Sequence, residues 1–135
     1  MNKDENSKEL GYSEYDKIFI KNFFKSMRKV AILSMIKAKP RHGYEIMNVI
    51  NKIYSEHSLD EMKIGASTIY PLLHTLEERN LIKGTWHQQG KRDIKCYEIT
   101  PEGEATILRT QNLIKNSLYD FWEETEEDET EKEKE

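Results

Sequence analysis

At 135 residues the chain has room for one domain. Apolar residues make up 36% and charged residues 34%, so part of the chain is expected to stay outside a packed core. A single cysteine excludes an intramolecular disulfide framework and a cysteine-built zinc site, and a net charge of −4 argues at first sight against a nucleic-acid partner.

The distribution of charge reverses that last point. Residues 123–135 hold nine acidic and two basic side chains, a net −7, which leaves +3 on residues 1–122. The acidic end is a separate electrostatic object and the body is mildly basic. The N-terminus, M-N-K-D-E-N-S-K, has no apolar signal core, and no run approaches the roughly eighteen apolar residues of a membrane span. A reduced, cytoplasmic setting with no membrane partner is the expectation.

Residues 1–13 read as a flexible N-terminus. Ser13 is placed to cap a helix from Glu14, with Asp16 as the return half of a capping box. The pattern then stays helical to Lys39. Ile20, Phe23, Phe24, Met27, Val30, Ala31 and Met35 recur every three or four residues, and Ile32, Leu33 and Ile36 widen the apolar face. Pro40 stops the helix, because it pushes Lys39 away from helical angles. Pro40-Arg41-His42-Gly43 reads as a tight connection. A second helix follows to about Ser55, with Ile46, Val49, Ile50 and Ile53 expected inside. Residues 56–66 read as a loop anchored by Met62 and Ile64.

The stretch A-S-T-I-Y-P-L-L-H-T-L-E-E-R-N-L-I-K-G, from Ala66 to Gly84, organises the rest. Ser67 is a good N-cap, and Pro71 is expected in the first turn, where a missing N–H costs least. Ile69, Leu72, Leu73 and Leu76 make one apolar face. Asn80 falls where the helix should end, in a left-handed conformation that Asn tolerates. Thr68, Tyr70, His74 and Thr75 are left near the solvent side. Hydroxyls and an aromatic tip beside a positive helix end suit a recognition helix, and an amphipathic core helix shows the same spacing.

Leu81–His87 reads as a strand, Gln88–Asp93 as a hairpin tip turning at Gly90, and Ile94–Ile99 as the return strand. Tyr97 and Ile99 should point inward, with Trp86 packed under the hairpin. Thr100-Pro101-Glu102 marks a helix start. Ile107, Gln111, Ile114, Leu118 and Phe121 then follow steps of four and three, a coiled-coil-like seam with one polar member. The fold class is mainly α (α+β): a winged helix-turn-helix with long N- and C-terminal dimerisation helices. Its expected divisions are 14–100 for the winged-helix domain with the first helix, 101–123 for the dimerisation helix, and 124–135 for an acidic tail, disordered or at best a solvated helical extension.

Lys91 and Arg92 at the hairpin tip, Lys95 behind them and Lys63 before the helix are placed to neutralise phosphates. Ser67, Thr68, Tyr70, Pro71 and His74 form the surface that would meet DNA. The helix start is poor in the Arg, Asn and Gln that read base edges, so positioning and DNA shape should outweigh direct readout. Phe23, Met27, Ile114, Leu118, Phe121 and Trp122 line either a dimer interface or an effector pocket between protomers. His42, His57, His74 and His87 have no metal-ligand spacing, so no metal or cofactor is expected. Tyr44 and Glu45 lack the partners of a catalytic set, which excludes an enzyme on these residues, and Tyr44 reads as a core aromatic. Cys96 reads as a small apolar residue, with a redox-sensor role as the alternative.

His42-Gly43-Tyr44-Glu45-Ile46, Ser67-Thr68-Ile69-Tyr70-Pro71-Leu72-Leu73, Leu76-Glu77, Leu81-Ile82, Trp86, Tyr97 and Ile99-Thr100-Pro101-Glu102-Gly103 together resemble the PadR family of transcriptional regulators, over roughly Val30 to Ile107. The single final helix is similar to the shorter members. The resemblance implies a ligand-responsive repressor acting as a homodimer on double-stranded DNA. The helix matching Ser67–Arg79 would enter the major groove, and the hairpin Trp86–Tyr97 would lie along the backbone or minor groove. The terminal helices would form the dimer and frame a cavity for a small aromatic or hydrophobic effector. Asn80 stands where the family often has Gly, Cys96 where an aromatic is common, and the first helix starts early. The rival is a winged helix that binds a protein partner without touching DNA.

Overall fold

A computed structural model describes the backbone of residues 12–134 and the side chains as far as residue 126. Residues 1–11, expected to be flexible, lie outside the described residues. In chain order the elements are α1 (Glu14–Ala38), β1 (Arg41–His42), α2 (Gly43–Glu56), a 3-10 turn (Asp60–Met62), α3 (Ala66–Glu78), β2 (Ile82–Gln89), β3 (Arg92–Ile99) and α4 (Pro101–Lys134). The fold is mostly helical, with a small antiparallel sheet of strand order β1-β3-β2. It is a winged helix-turn-helix flanked by two long helices.

Each helix begins and ends for a local reason. At the start of α1, Ser13 Oγ accepts the Asp16 N–H at 3.1 Å, and Asp16 Oδ2 accepts the Ser13 N–H at 2.9 Å, a complete capping box. The α2 helix closes on Ser58 at φ +56°, and α3 closes on Asn80 at φ +60°. Both are Schellman ends. The Leu59 N–H returns to the Tyr54 carbonyl, and the Leu81 N–H returns to the Leu76 carbonyl at 3.0 Å. Thr100 opens α4: its Oγ1 accepts the Gly103 N–H at 3.0 Å and donates to the Asn80 carbonyl at 2.7 Å. One hydroxyl thus starts α4 and secures the end of α3.

The core lies where α1, α2 and α3 meet the inner face of the sheet. Ile32, Ile36, Ile46, Ile69, Leu73, Ile82 and Ile107 are almost fully buried. Each such side chain gives on the order of 1.5–3 kcal/mol relative to exposure. On α1 it is Ile32, Leu33 and Ile36 that reach this core. Most of the first apolar set is only half-buried or exposed in one chain: Phe24 and Met27 are half-buried, while Phe23 and Ala31 are exposed. Asn51 ties α2 to the approach of α3, because its amide exchanges two bonds with the Ile64 backbone, both at 2.8 Å. Met62 and Ile64 are buried beside it. Gln111, the polar member of the α4 seam, donates to Ser34 Oγ at 2.9 Å and so joins α4 to α1.

Several expectations are corrected. Arg41–His42 is a strand as well as a connection, pairing with Tyr97 and Cys96 of β3. On α2, Ile53 is 46% exposed, and Tyr54 takes the buried place. The hairpin strands run to Gln89 and from Arg92, so the tip is only Gly90-Lys91. Gly90 at φ +65° followed by a residue of negative φ fits a II′ turn. Past Glu123 the backbone of α4 stays helical to Lys134, the extension that the sequence left open beside disorder.

Candidate nucleic-acid interface

The α3 helix places its apolar residues Ile69, Leu73 and Leu76 inward and leaves Ser67, Tyr70, Pro71 and His74 exposed, with Thr68 half-buried. Its cap is Gly65, which makes no side-chain capping bond, so Ser67 lies inside the first turn and is not the N-cap. Pro71 falls in the second turn, one position set later than expected, where it has no N–H to give the Ser67 carbonyl. Thr75 donates its hydroxyl to the Pro71 carbonyl at 3.0 Å.

Between α3, the start of α2 and the wing formed by β2 and β3 lies a cleft of about 790 Å³. Its walls carry Tyr44 from α2, Tyr70 and His74 from α3, and Trp86, Arg92 and Lys95 from the wing. Gly43 lets the walls close up at the cleft floor. A Cβ there would stand 2.7 Å from the Tyr70 ring, so only glycine allows α2 to start against that tyrosine.

The structure therefore gathers Tyr70, His74, Arg92 and Lys95 around one concavity. Ser67, Thr68, Pro71, Lys63 and Lys91 do not line it. Lys91 occupies the tip turn, exposed beside Arg92, and among the described residues neither makes an ion pair. Lys63 sits just before α3 and pairs with Asp60 at 3.1 Å. That contact, with the Ser55 hydroxyl, holds the Asp60 carboxyl below its ordinary range. His74 meets Glu78 at 3.0 Å on an exposed face.

Lys95 is the predicted cation most engaged within the fold. Its ammonium is not free at the wing surface but bonds Glu77 Oε1 of α3 at 2.9 Å. Glu77 Oε2 accepts the Gly84 N–H at 2.9 Å. The same ammonium lies 5.6 Å from the Trp86 ring centre and 5.5 Å from that of Tyr97. The hydrogen bond from Lys95, ahead of burial acting the other way, lowers the Glu77 carboxyl, and the same bond raises the Lys95 ammonium. Glu77 and Lys95 together clamp the wing against α3.

Tyr44, expected as a core aromatic, and Trp86, expected to pack under the hairpin, are instead 64% and 65% exposed at the cleft. By the alternation of β2, Trp86 shares the face of Ile82. The face simply runs beyond the edge of the core. Tyr44 stands in the first turn of α2, ahead of the buried Ile46.

The terminal helices carry the other predicted cluster. Phe23 is 47%, Phe121 70% and Trp122 66% exposed, while Met27, Ile114 and Leu118 are half-buried. Cys96 is half-buried, and burial foremost raises its thiol, which disfavours the reactive thiolate. Among the described residues no group of three or more His, Cys, Asp or Glu is placed to hold a metal ion. No helix among them is long and apolar enough to cross a membrane.

Three packed helices followed by a hairpin held against α3, with Lys91 and Arg92 at its tip, define a winged helix-turn-helix protein. The chain belongs to the PadR-like family of transcriptional regulators, whose family model matches residues 32–109. It is accordingly a DNA-binding regulator and not an enzyme. Solved structures agree in fold. A PadR-like transcription factor from Bacteroides fragilis superposes with a TM-score of 0.62 at 19% identity, covering 74% of this chain and 91% of that one. A PadR family regulator from Eggerthella lenta gives 0.60 at 23% identity, over 79% and 94%. A PadR-like regulator from Bacillus cereus gives 0.58 at 22%, over 74% and 95%. No curated protein sequence matches the chain significantly.

Proposed function

We propose that the protein is a cytoplasmic, sequence-specific repressor that binds double-stranded DNA as a homodimer. The observation that carries this reading is the exposed, unpaired Lys91 and Arg92 at the tip of a wing whose other lysine is clamped to α3. In this arrangement α3 enters the major groove with Ser67, Thr68, Tyr70, Pro71 and His74. Lys91 and Arg92 neutralise phosphates beside it. With few base readers near the helix start, DNA shape supplies much of the discrimination.

Dimerisation through α1 and α4 is supported by the apolar surface that one chain leaves open. Phe19, Phe23, Leu113, Phe121 and Trp122 are all 47–70% exposed, a concentration that suits an interface core. A small aromatic or hydrophobic effector seated between these helices would alter the spacing of the two α3 helices and lower affinity. The test is a gel shift of the full chain on the DNA upstream of its own gene. Binding that weakens steeply with salt is expected, and Lys91→Ala with Arg92→Ala should reduce the log–log salt slope by about four, two phosphate contacts from each protomer of the dimer. No shift on any upstream fragment at low salt would overturn the proposal.

A further inference from the structure

Tyr44, Tyr70 and Trp86 are 64%, 47% and 65% exposed, come from three different elements, and line the same cleft. A single exposed aromatic needs no explanation, whereas three converging on one concavity do. Trp86 is also held in place. Lys95 lies across its ring, and Glu77 of α3 fixes that ammonium. The indole therefore stands at a set distance from the recognition helix.

The charge of the walls indicates which part of DNA fits. Among the lining residues Arg92 and Lys95 are offset by Glu45 and Asp93, and Lys95 is already engaged by Glu77. The rest of the exposed wall is chiefly the two hydroxyls and three ring faces of Tyr44, Tyr70 and Trp86, beside the neutral polar groups of His42, His74 and Gln89. Such a wall suits the deoxyribose faces and ester oxygens of one strand, which present CH surface and hydrogen-bond acceptors. The cleft is also continuous with the exposed face of α3 on one side and with Arg92 on the other.

The geometry points to Tyr44, Tyr70 and Trp86 as an aromatic grip on one sugar–phosphate strand of duplex DNA, between α3 and the wing. The inference rests on the DNA-binding reading above. Because the grip is uncharged, it adds affinity without releasing counterions, and it does so equally for every sequence.

The chain contains two tryptophans, so Trp122→Phe in the full-length protein leaves Trp86 as the sole reporter. Mixed-sequence duplex DNA at low salt is the probe, with a gel shift run in parallel. On binding, Trp86 emission should shift and its quenching by iodide should fall. Trp86→Ala should bind about tenfold more weakly with an unchanged salt slope. Trp86→Phe should retain most of the affinity. A gel shift with Trp86 emission and quenching unmoved overturns the grip and leaves the DNA-binding reading standing. So does wild-type affinity in Trp86→Ala. Absence of any gel shift with the wild-type chain overturns both. The fluorescence arm keeps Trp86 intact, so it decides the matter even if the alanine variant folds poorly.

Discussion

Glu77 divides its carboxylate between two strands, taking the Lys95 ammonium on Oε1 and the Gly84 N–H on Oε2. The pair has a pH signature. The folded Glu77 lies below the ordinary glutamate value of 4.5, so its stabilisation is full above that value and is lost as pH falls through the lowered one. Lys95 lies above 10.5, so its share is full below that value and is lost as pH rises through the raised one. Urea melts stepped from neutral to acid should show the first loss, and Glu77→Gln should flatten that part of the profile. The same variant should cost about 1 kcal/mol at neutral pH, since it keeps an acceptor for Gly84 but loses the charge. Gly84→Ala should disturb the same clamp, because its Cβ would strike the Lys95 side chain and stand 2.5 Å from Glu77 Oε2. None of this is visible along the chain, since residues 77 and 95 meet only once the wing has folded back. Lys95 therefore read as one more phosphate-facing lysine. Tyr44 read as core and Trp86 as packed under the hairpin for a related reason: apolar content marks both for burial, and only the assembled edge of the core shows that they lie beyond it.

At the level of elements, the ends of α3 and the start of α4 depend on one another. Asn80 holds φ +60° and bonds Glu102 at 3.3 Å across the junction. Asn80→Gly should leave thermal stability almost unchanged, whereas Asn80→Ala should cost about 1 kcal/mol in chemical denaturation. Gly103 is less forgiving. A Cβ there would collide with the Leu81 carbonyl oxygen, a backbone atom that cannot swing aside. Gly103→Ala should lower stability by about 3 kcal/mol, read as a shifted denaturation midpoint. The left-handed Asn80, the Thr-Pro opening of α4 and the helix–helix–helix–hairpin order were legible because each has a local chemical signature. The strand β1 was not, for two residues carry no periodicity. The cap of α3 was misplaced because a serine two residues past Gly65 is the stronger local signal, and nothing nearby in the sequence outweighs it.

At the level of the whole molecule, charge and apolar surface are segregated. Residues 124–135 hold eight acidic and two basic side chains, so their removal takes the chain from −4 to +2. That truncation should raise affinity for mixed-sequence DNA, most at low ionic strength, if the acidic end repels competing duplex. Titrations at two salt concentrations would show it, and equal affinities would make the tail a bystander. Phe121→Glu with Trp122→Glu should shift sedimentation from dimer to monomer, since both side chains are open in one chain. Whether a pair forms was never legible in spacing alone, because an apolar seam is the same pattern whether a partner or the chain's own core covers it.

The two residues of β1 carry one more implication. They stitch the front of α2 to β3, while Glu77 rivets α3 to both wing strands. These contacts tie α2, α3 and the wing to one another as one reading head, so the hairpin is expected to move together with α3. On the proposed mechanism, an effector seated among the outer helices of a dimer would have only the span from one head to the other to alter. Distances measured within a head should stay constant between the operator-bound and released forms, and only those measured from head to head should change.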